Sequence, residues 1–146
     1  MEQGMKKTRV VLDTNVVFSS LYSSMGASFQ VMNLVYEGKT KILISNTLCA
    51  EYEEILKGKS AMLGLDVDDI DIFLDALCGM AERIKLKYLW LPILKDPDDE
   101  AVVHLAYESN ADYIVTHNIR HFDAAGKVGV KAITPSRFLK ISRGDI

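Results

Sequence analysis

The chain has 146 residues, of which 49% are hydrophobic and 25% are charged, and its formal net charge is −3. This size and balance predict a single globular domain over residues 1–146, with 1–7 as a flexible tail, and they exclude a disordered chain or a uniformly basic nucleic-acid coat. The sequence has no signal-peptide pattern and no run of roughly 20 apolar residues, so we expect a cytoplasmic protein that does not span a membrane.

Charge is unevenly distributed along the chain. Of the 20 acidic residues, 13 fall within residues 51–100, whereas residues 119–146 carry only two acids. The C-terminal part could therefore face a polyanion, although an ordinary solvated basic surface is the simpler alternative. Its six basic residues are Arg120, Lys127, Lys131, Arg137, Lys140 and Arg143.

Predicted strands and helices alternate along the chain. Short runs rich in Val, Ile or Leu predict strands at 8–12, 41–45, 83–87, 112–116 and 130–134. Helical periodicity predicts helices at 28–36, 46–57, 67–82, 97–109 and 135–139. The alternation predicts an α/β fold, namely a doubly wound, mainly parallel central sheet of about four or five strands with helices on both faces. Ligands of such sheets bind at the carboxyl ends of the strands.

Apolar residues at helical spacing predict the buried face of each helix. The residues expected to point inward are Phe29, Met32, Val35, Tyr36, Leu48, Tyr52, Ile55, Leu56, Val67, Ile70, Phe73, Leu74, Leu77, Cys78, Ala81, Val102, Val103, Leu105 and Ala106. Cys49 and Cys78 have no metal-binding spacing, so we expect two buried free thiols. His117 and His121 lack a nearby third zinc ligand and are expected to face solvent or a phosphate. The loop residues Trp90 and Leu91 are expected to anchor in the core or to contact a partner.

Asp13 follows the first predicted strand, in the stretch RVVLDTNVVFSS. Taken alone, it is most simply the cap of a following helix. It would belong to a ligand site if other carboxylates reached the same edge of the sheet. On helix 46–57, Glu51 borders the apolar stripe, whereas Glu53 and Glu54 point away from it. Glu51 is therefore the candidate partner, with an exposed boundary glutamate as the alternative.

Four acids cluster in the run KDPDDEAVVHLA, residues 95–106. Asp96 before Pro97 is a good helix cap, and Glu100 in the first turn complements the helix dipole. Asp98 and Asp99 lie near the apolar side of the helical wheel, where a charge needs a partner, and the wheel does not separate them.

Acids from three segments are thus predicted to meet at one edge of the sheet. They are Asp13, Glu51 and one of Asp98 or Asp99. Such a set predicts a site for Mg²⁺ or Mn²⁺, because hard divalent cations prefer carboxylate oxygens, keep waters and act on phosphate substrates.

The chain resembles the PIN-domain family of metal-dependent ribonucleases, and in particular its bacterial toxin-like branch. The resemblance runs over nearly the whole chain and rests on VVLDTNVVFSS, ISNTLCAEYEEIL, KDPDDEAVVHLA, ADYIVTHNIRHF and AITPSRFL. It implies an endoribonuclease that uses Mg²⁺ or Mn²⁺ and leaves 5′-phosphate and 3′-hydroxyl ends. It also implies a homodimer and a cognate antitoxin protein as a partner.

The same resemblance implies roles for individual residues. The metal-binding and catalytic acids of the family match Asp13, Glu51 and Asp99, and the preference for Asp99 over Asp98 rests on the resemblance alone. The residues expected to line the site are Asn15, Asp98, Thr116 and Asn118, and the residue expected to hold the RNA backbone is Arg120.

One position departs from the family pattern. The family often has V-T-x-D after the fourth strand, whereas this chain has Val115, Thr116, His117 and Asn118, so an amide replaces a fourth acid. The loss of that charge predicts weaker binding of a second cation, for which His117 or Asp123 could compensate. It also leaves open an alternative function, a non-catalytic PIN-like module that binds RNA or a protein partner.

Overall fold

Five short strands form a sheet at the centre of the molecule. A computed structural model describes residues 7–87 and 92–144. The strands are β1 (Thr8–Leu12), β2 (Thr40–Ile44), β3 (Glu82–Arg83), β4 (Tyr113–Val115) and β5 (Ala132–Ile133). Their order in the sheet is β3-β2-β1-β4-β5, and all four pairings are parallel. The predicted doubly wound α/β fold is confirmed.

Helices connect these strands. They are α1 (Thr14–Tyr22), α2 (Ala27–Tyr36), α3 (Asn46–Gly58), α4 (Ser60–Leu63), α5 (Val67–Met80), α6 (Pro97–Ser109) and α7 (Pro135–Ser142), with a 3-10 segment at Ile119–Val128. Polar side chains cap several of them: Ser45 accepts from Leu48 at the start of α3, and Asp96 accepts from Asp98 at the start of α6. Such caps fix where a helix begins, because its first amides lack partners within the helix.

The middle strand β1 is apolar on both faces. Val10, Val11 and Leu12 are fully buried, as expected for a parallel strand covered by helices on both sides. The chain leaves β1 for β2 on one side and returns later to β4 on the other side. The carboxyl ends of β1 and β4 therefore flank the point where the connections diverge, and ligands bind at such points in open α/β sheets.

Several local predictions were wrong. Tyr36 and Val67 are exposed rather than buried, because each lies at the end of its helix, beyond the packed stretch. The strand predicted at 83–87 has only two paired residues, Glu82 and Arg83. The helix α1 and the 3-10 segment had no predicted bounds.

Some predictions fall on parts of the chain outside the description. Of the predicted tail 1–7, only Lys7 is described, and the loop residues Trp90 and Leu91 also lie outside the described residues. Within residues 7–87 and 92–144, no helix has the length and apolar character needed to cross a bilayer.

Candidate functional site

Asp13 lies at the junction of β1 and α1. Its amide donates to the carbonyl of Val115 at 3.0 Å, and its side chain is largely buried, with 8% of the residue exposed. The Oδ1 atom accepts from the Thr14 amide at 2.9 Å and caps α1. The Oδ2 atom accepts from the Thr116 hydroxyl at 2.7 Å. Asp13 is therefore a helix cap, as its position alone suggests, and its second oxygen also belongs to a polar network at the sheet edge.

Thr116 and Asn15 hold that second oxygen in place. Thr116 follows β4, is fully buried, and its Oγ1 also accepts from the Asn118 amide at 3.0 Å. Asn15 Nδ2 donates to Asp13 Oδ2 at 3.3 Å, while Asn15 Oδ1 accepts from the His117 amide at 3.2 Å. The ends of β1 and β4 are thereby joined through side chains around one carboxylate.

Glu51 reaches the same edge from α3. It is half-buried, whereas Glu53 and Glu54 are exposed, so the burial ranking from the helical wheel holds. Its Oε2 accepts a hydrogen bond from the buried Thr14 hydroxyl. Burial is the main cause that raises the pKa of Glu51 to about 7, with Thr14 opposing the rise and the charges of Asp98 and Asp13 adding to it.

Tyr52 fixes the position of α3 over the sheet. Its ring is fully buried, and its hydroxyl donates to the carbonyl oxygen of Leu12, the residue before Asp13, at 2.5 Å. Glu51 immediately precedes Tyr52 on α3. This bond therefore helps to fix the position of the Glu51 carboxylate relative to that of Asp13. The apolar side of α3, which includes Leu48 and Leu56, buries against the core and leaves Glu51 at its margin.

The first turn of α6 brings further carboxylates. Asp99 is half-buried, and its side chain is 14% exposed, whereas Asp98 is exposed. The pKa of Asp99 is raised to about 6, mainly by burial and also by the negative charges of Asp13, Asp96 and Asp98, while His121 opposes the rise. Asp98 lies close enough to Glu51 to hydrogen-bond it in the protonated state. The charge of Asp13 thus influences the pKa of Asp99, and the charge of Asp98 influences that of Glu51.

An open cavity of about 450 Å³ adjoins Asp96 and Asp99 at the start of α6. Its polar walls include Asp99, Arg120, His121 and Asp123. The Nδ1 atom of His121 lies 3.4 Å from Asp99 Oδ2, although the His121 side chain is 56% exposed. Arg120 is exposed at the same mouth. The cavity therefore brings the Arg120 guanidinium and the His121 imidazole to the same walls as Asp99.

The position that departs from the family pattern adds no acid at the centre of the site. Asn118 is exposed and contributes its backbone amide to Thr116. His117 Nε2 lies 3.0 Å from the buried Ser28 hydroxyl, and burial lowers the pKa of His117. Asp123 lines the cavity beside Asp99. His117 and Asp123 are the two residues that could compensate for the missing fourth acid. Of these, His117 is bonded to Ser28, whereas Asp123 lines the cavity.

The donor set suits a hard divalent cation in its chemistry. Oxygen ligands predominate, and burial raises the pKa of Asp13, Glu51 and Asp99, so each of these carboxyl groups would ionise more readily beside a cation. Among the described residues, however, no three His, Cys, Asp or Glu side chains stand close enough together to enclose a metal ion, and each buried side-chain nitrogen or oxygen has a hydrogen-bond partner. Glu51 Oε2 already accepts from the Thr14 hydroxyl, so we expect an ion bound at this oxygen to compete with that hydrogen bond.

Two contributors were not identified as site residues from the sequence. Thr14 binds Glu51, but a threonine in the first turn of a helix is common, and its partner lies 37 residues away. His121 approaches Asp99 from the 3-10 segment, whose bounds helical periodicity does not indicate. The only sequence signal for His121 was its expected contact with solvent or a phosphate.

Comparison with known proteins bears on the family to which the chain belongs. The family model described as the PIN domain matches residues 9–120, which include β1, α3, α6 and β4 with the acids that they carry. No curated protein matches the chain. PIN domains are in general nucleases that use divalent metal ions and bind RNA, so the match indicates a nuclease-type function. Because the match covers more than half of its length, the chain belongs to the PIN-domain family.

Proposed function

We propose that the chain is a metal-dependent endoribonuclease that cleaves RNA phosphodiester bonds. The observation that carries the proposal is that Asp13, Glu51 and Asp99, each with a raised pKa, belong to elements that pack together near the carboxyl ends of β1 and β4. Carboxyl groups with perturbed pKa values cluster at functional sites. Family membership supplies the reaction class.

The residues that would hold Mg²⁺ or Mn²⁺ are Asp13, Glu51 and Asp99, with Asp98 at the margin. Such an ion, when bound, supplies a more acidic water and neutralises charge on the phosphate. Thr116 and Asn15 orient Asp13, because their hydrogen bonds fix Oδ2 and leave the carboxylate little freedom to rotate. Fixed ligands lose less entropy when the ion binds.

RNA would enter by the cavity beside Asp99. Arg120 at its mouth can contact a phosphate, and phosphate contacts from basic side chains supply most of the affinity for RNA backbones. The half-buried Ile93 and Leu94 line the same cavity and offer an apolar surface to a base or ribose. The cavity thus combines a charged side for the backbone with an apolar side.

Purified protein incubated with RNA and Mn²⁺ tests the proposal. We expect cleavage by the native chain and its loss, by at least 10²-fold, in Glu51→Gln, since the amide cannot supply the negative charge. Glu54→Gln is the matched control, because Glu54 is exposed on the same helix, and it should cleave as the native chain does. Equal cleavage by Glu51→Gln and Glu54→Gln overturns the assignment.

The finer role that we propose is that of the toxin in a type II toxin–antitoxin system. The support is the resemblance of the five sequence blocks to the toxin-like branch, which also implies a homodimer and an antitoxin that covers the acidic edge. Expression should arrest bacterial growth, and the product of a neighbouring gene should relieve the arrest. Arrest that persists in Asp13→Asn at equal protein level argues against it.

A non-catalytic PIN-like module that binds RNA or a protein is the second candidate. It is favoured by Asn118 in place of a fourth acid and by the lack, within the described residues, of three ligands at metal-binding distances. It predicts RNA binding that is unchanged by Mn²⁺ and by Glu51→Gln, without any cleavage. Cleavage that depends on both excludes it.

A further inference from the structure

Two cysteines far apart in sequence meet between two helices. Cys49 lies on α3 and Cys78 lies near the end of α5, and their Sγ atoms are 3.1 Å apart. Both are free and half-buried, not fully buried as expected from the sequence. The contact depends on the packing of α3 against α5, which sequence spacing does not reveal.

The geometry is close to that of a disulfide. Bonded sulfur atoms lie about 2.05 Å apart, so the two thiols need to approach by only about 1 Å. Small rotations of two cysteine side chains can supply such a movement. As reduced thiols they share a hydrogen bond, and burial together with that bond raises the pKa of Cys78 to about 11. Closing the bond needs a two-electron oxidant, and a thiol with this pKa must lose its proton before it can attack.

We propose that Cys49 and Cys78 form an intrachain disulfide that ties α3 to α5, by exchange with a low-molecular-weight disulfide such as oxidised glutathione. One protein thiol loses its proton and attacks a glutathione sulfur, so that a mixed disulfide forms and one glutathione thiolate leaves. The second protein thiol loses its proton and attacks the protein sulfur of the mixed disulfide, which releases the second glutathione. Two electrons pass from the protein thiols to glutathione, and its two thiolates take up the two protons.

The contact between the sulfur atoms favours the second step over accumulation of the mixed disulfide. The cysteine that is not modified already touches its partner, so the exchange is intramolecular and has a high effective concentration. The new bond closes the chain between residues 49 and 78, which holds the rest of α3 and most of α5. Closing such a loop restricts the unfolded chain, and we expect the melting temperature to rise by roughly 5–10 °C.

Mass spectrometry of the full chain after incubation with oxidised glutathione tests this. The native chain should lose the mass of two hydrogen atoms and both titratable thiols, remain a single chain on a non-reducing gel, and melt at a higher temperature until dithiothreitol is added. Cys49→Ser and Cys78→Ser are matched controls, each of which can form only the mixed disulfide. Persistence of a glutathione adduct or of two free thiols on the native chain, or a link between two chains, overturns the proposal. These readouts are independent of RNA cleavage.

Discussion

At the scale of single residues, the site depends on how its carboxylates are held. The Thr116 hydroxyl is fully buried, donates to Asp13 at 2.7 Å and accepts from the Asn118 amide. It therefore links the ends of β1 and β4 through one atom. The hydrogen bond also opposes the rise in the pKa of Asp13 that burial causes.

Replacing Thr116 by valine should remove both bonds while keeping the shape of the side chain. We expect a loss of about 1–3 kcal/mol in the free energy of unfolding, a further rise in the pKa of Asp13 and weaker Mn²⁺ binding at neutral pH. Thermal melting and Mn²⁺ titration measure these effects. Thr116→Ser keeps the hydroxyl and should stay close to the native protein in Mn²⁺ affinity. If serine and valine behave alike, the hydroxyl does not hold Asp13.

The raised pKa values predict how stability depends on pH. Mainly through burial, the pKa of Glu51 rises from 4.5 to about 7 and the pKa of Asp99 rises from 3.8 to about 6. Between these limits the folded protein holds more protons than the unfolded chain, so the free energy of unfolding falls as pH rises. The stabilising contribution of these two acids to the free energy of unfolding is fully present below about pH 4 and is lost above about pH 7. Metal-free melting temperatures across this range measure it.

Glu51→Gln isolates the contribution of one carboxyl to this pH dependence. The variant lacks the titrating group, so its melting temperature should fall less between about pH 5 and pH 7 than that of the native chain. Burial lowers the pKa of His117, which makes stability rise with pH, but this effect is common to both proteins and cancels in their difference. Identical pH profiles for the two proteins refute the assigned shift of Glu51.

At the scale of elements, the start of α6 positions two of the acids. Asp96 caps α6 by accepting from the Asp98 amide at 2.9 Å, and Pro97 opens the helix. Asp66 caps α5 in the same manner, through the Asp69 amide at 2.8 Å. The Asp96 cap therefore precedes the helix that carries Asp98 and Asp99, whereas the Asp66 cap precedes α5, which carries none of the candidate site residues.

Removing the two caps one at a time distinguishes an effect on stability from an effect on the geometry of the site. Asp96→Ala and Asp66→Ala should each lower the free energy of unfolding by about 1 kcal/mol. Only Asp96→Ala should also weaken Mn²⁺ binding and RNA cleavage, because it frees the turn that carries Asp98 and Asp99. Melting curves and cleavage rates at a temperature where both variants are folded provide the comparison. Equal cleavage by the two variants shows that the α6 cap does not organise the site.

Sequence patterns predicted best those elements whose determinants lie within one short segment of the chain. The strand β1 and the helix α6 were predicted closely, because a buried apolar run and an Asp-Pro cap are readable in one segment. The 3-10 segment at Ile119–Val128 was not predicted, since its turns lack a continuous helical period and include Gly126. The exposure of Tyr36 and Val67 is decided by where neighbouring helices stop, which local periodicity does not contain.

The same distinction applies to the candidate site. Asp13 and Glu51 could be proposed from a strand end and a helical wheel, and the structure places both at one edge of the sheet. The contacts of Thr14 with Glu51 and of Cys49 with Cys78 depend on tertiary packing and had no local signal. Choosing between Asp98 and Asp99 likewise needed burial, which differs between adjacent positions on α6.

At the scale of the whole molecule, acids line the sheet edge while basic residues follow in the C-terminal part. Arg120 lies beside the acidic edge, whereas Lys131 lies just before β5, in a separate cavity with Lys7 and Tyr113. On the proposed route through this cavity, Arg120 contacts the RNA backbone close to Asp99. Lys131, before the first residue of its strand, lies toward the opposite edge of the parallel sheet.

Arg120→Ala should weaken RNA binding and lower the dependence of affinity on salt by about one phosphate contact. Lys131→Ala is the control with the same loss of charge at the other edge, and it should change neither quantity comparably. Binding measured with catalytically inactive Asp13→Asn protein, over a range of salt concentrations, gives both quantities. An equal effect of the two alanine variants indicates that RNA is held by overall charge and not by this cavity.

The central claim is that Asp13, Glu51 and an aspartate of α6 share one metal ion. Anomalous scattering from a crystal soaked in Mn²⁺ tests it most directly, because it locates the ion without reference to activity. We predict one strong peak in contact with the Asp13 and Glu51 carboxylates and with Asp99, and loss of the Thr14–Glu51 hydrogen bond. No peak at this edge in a fully soaked crystal, or peaks only at other acids, contradicts the account.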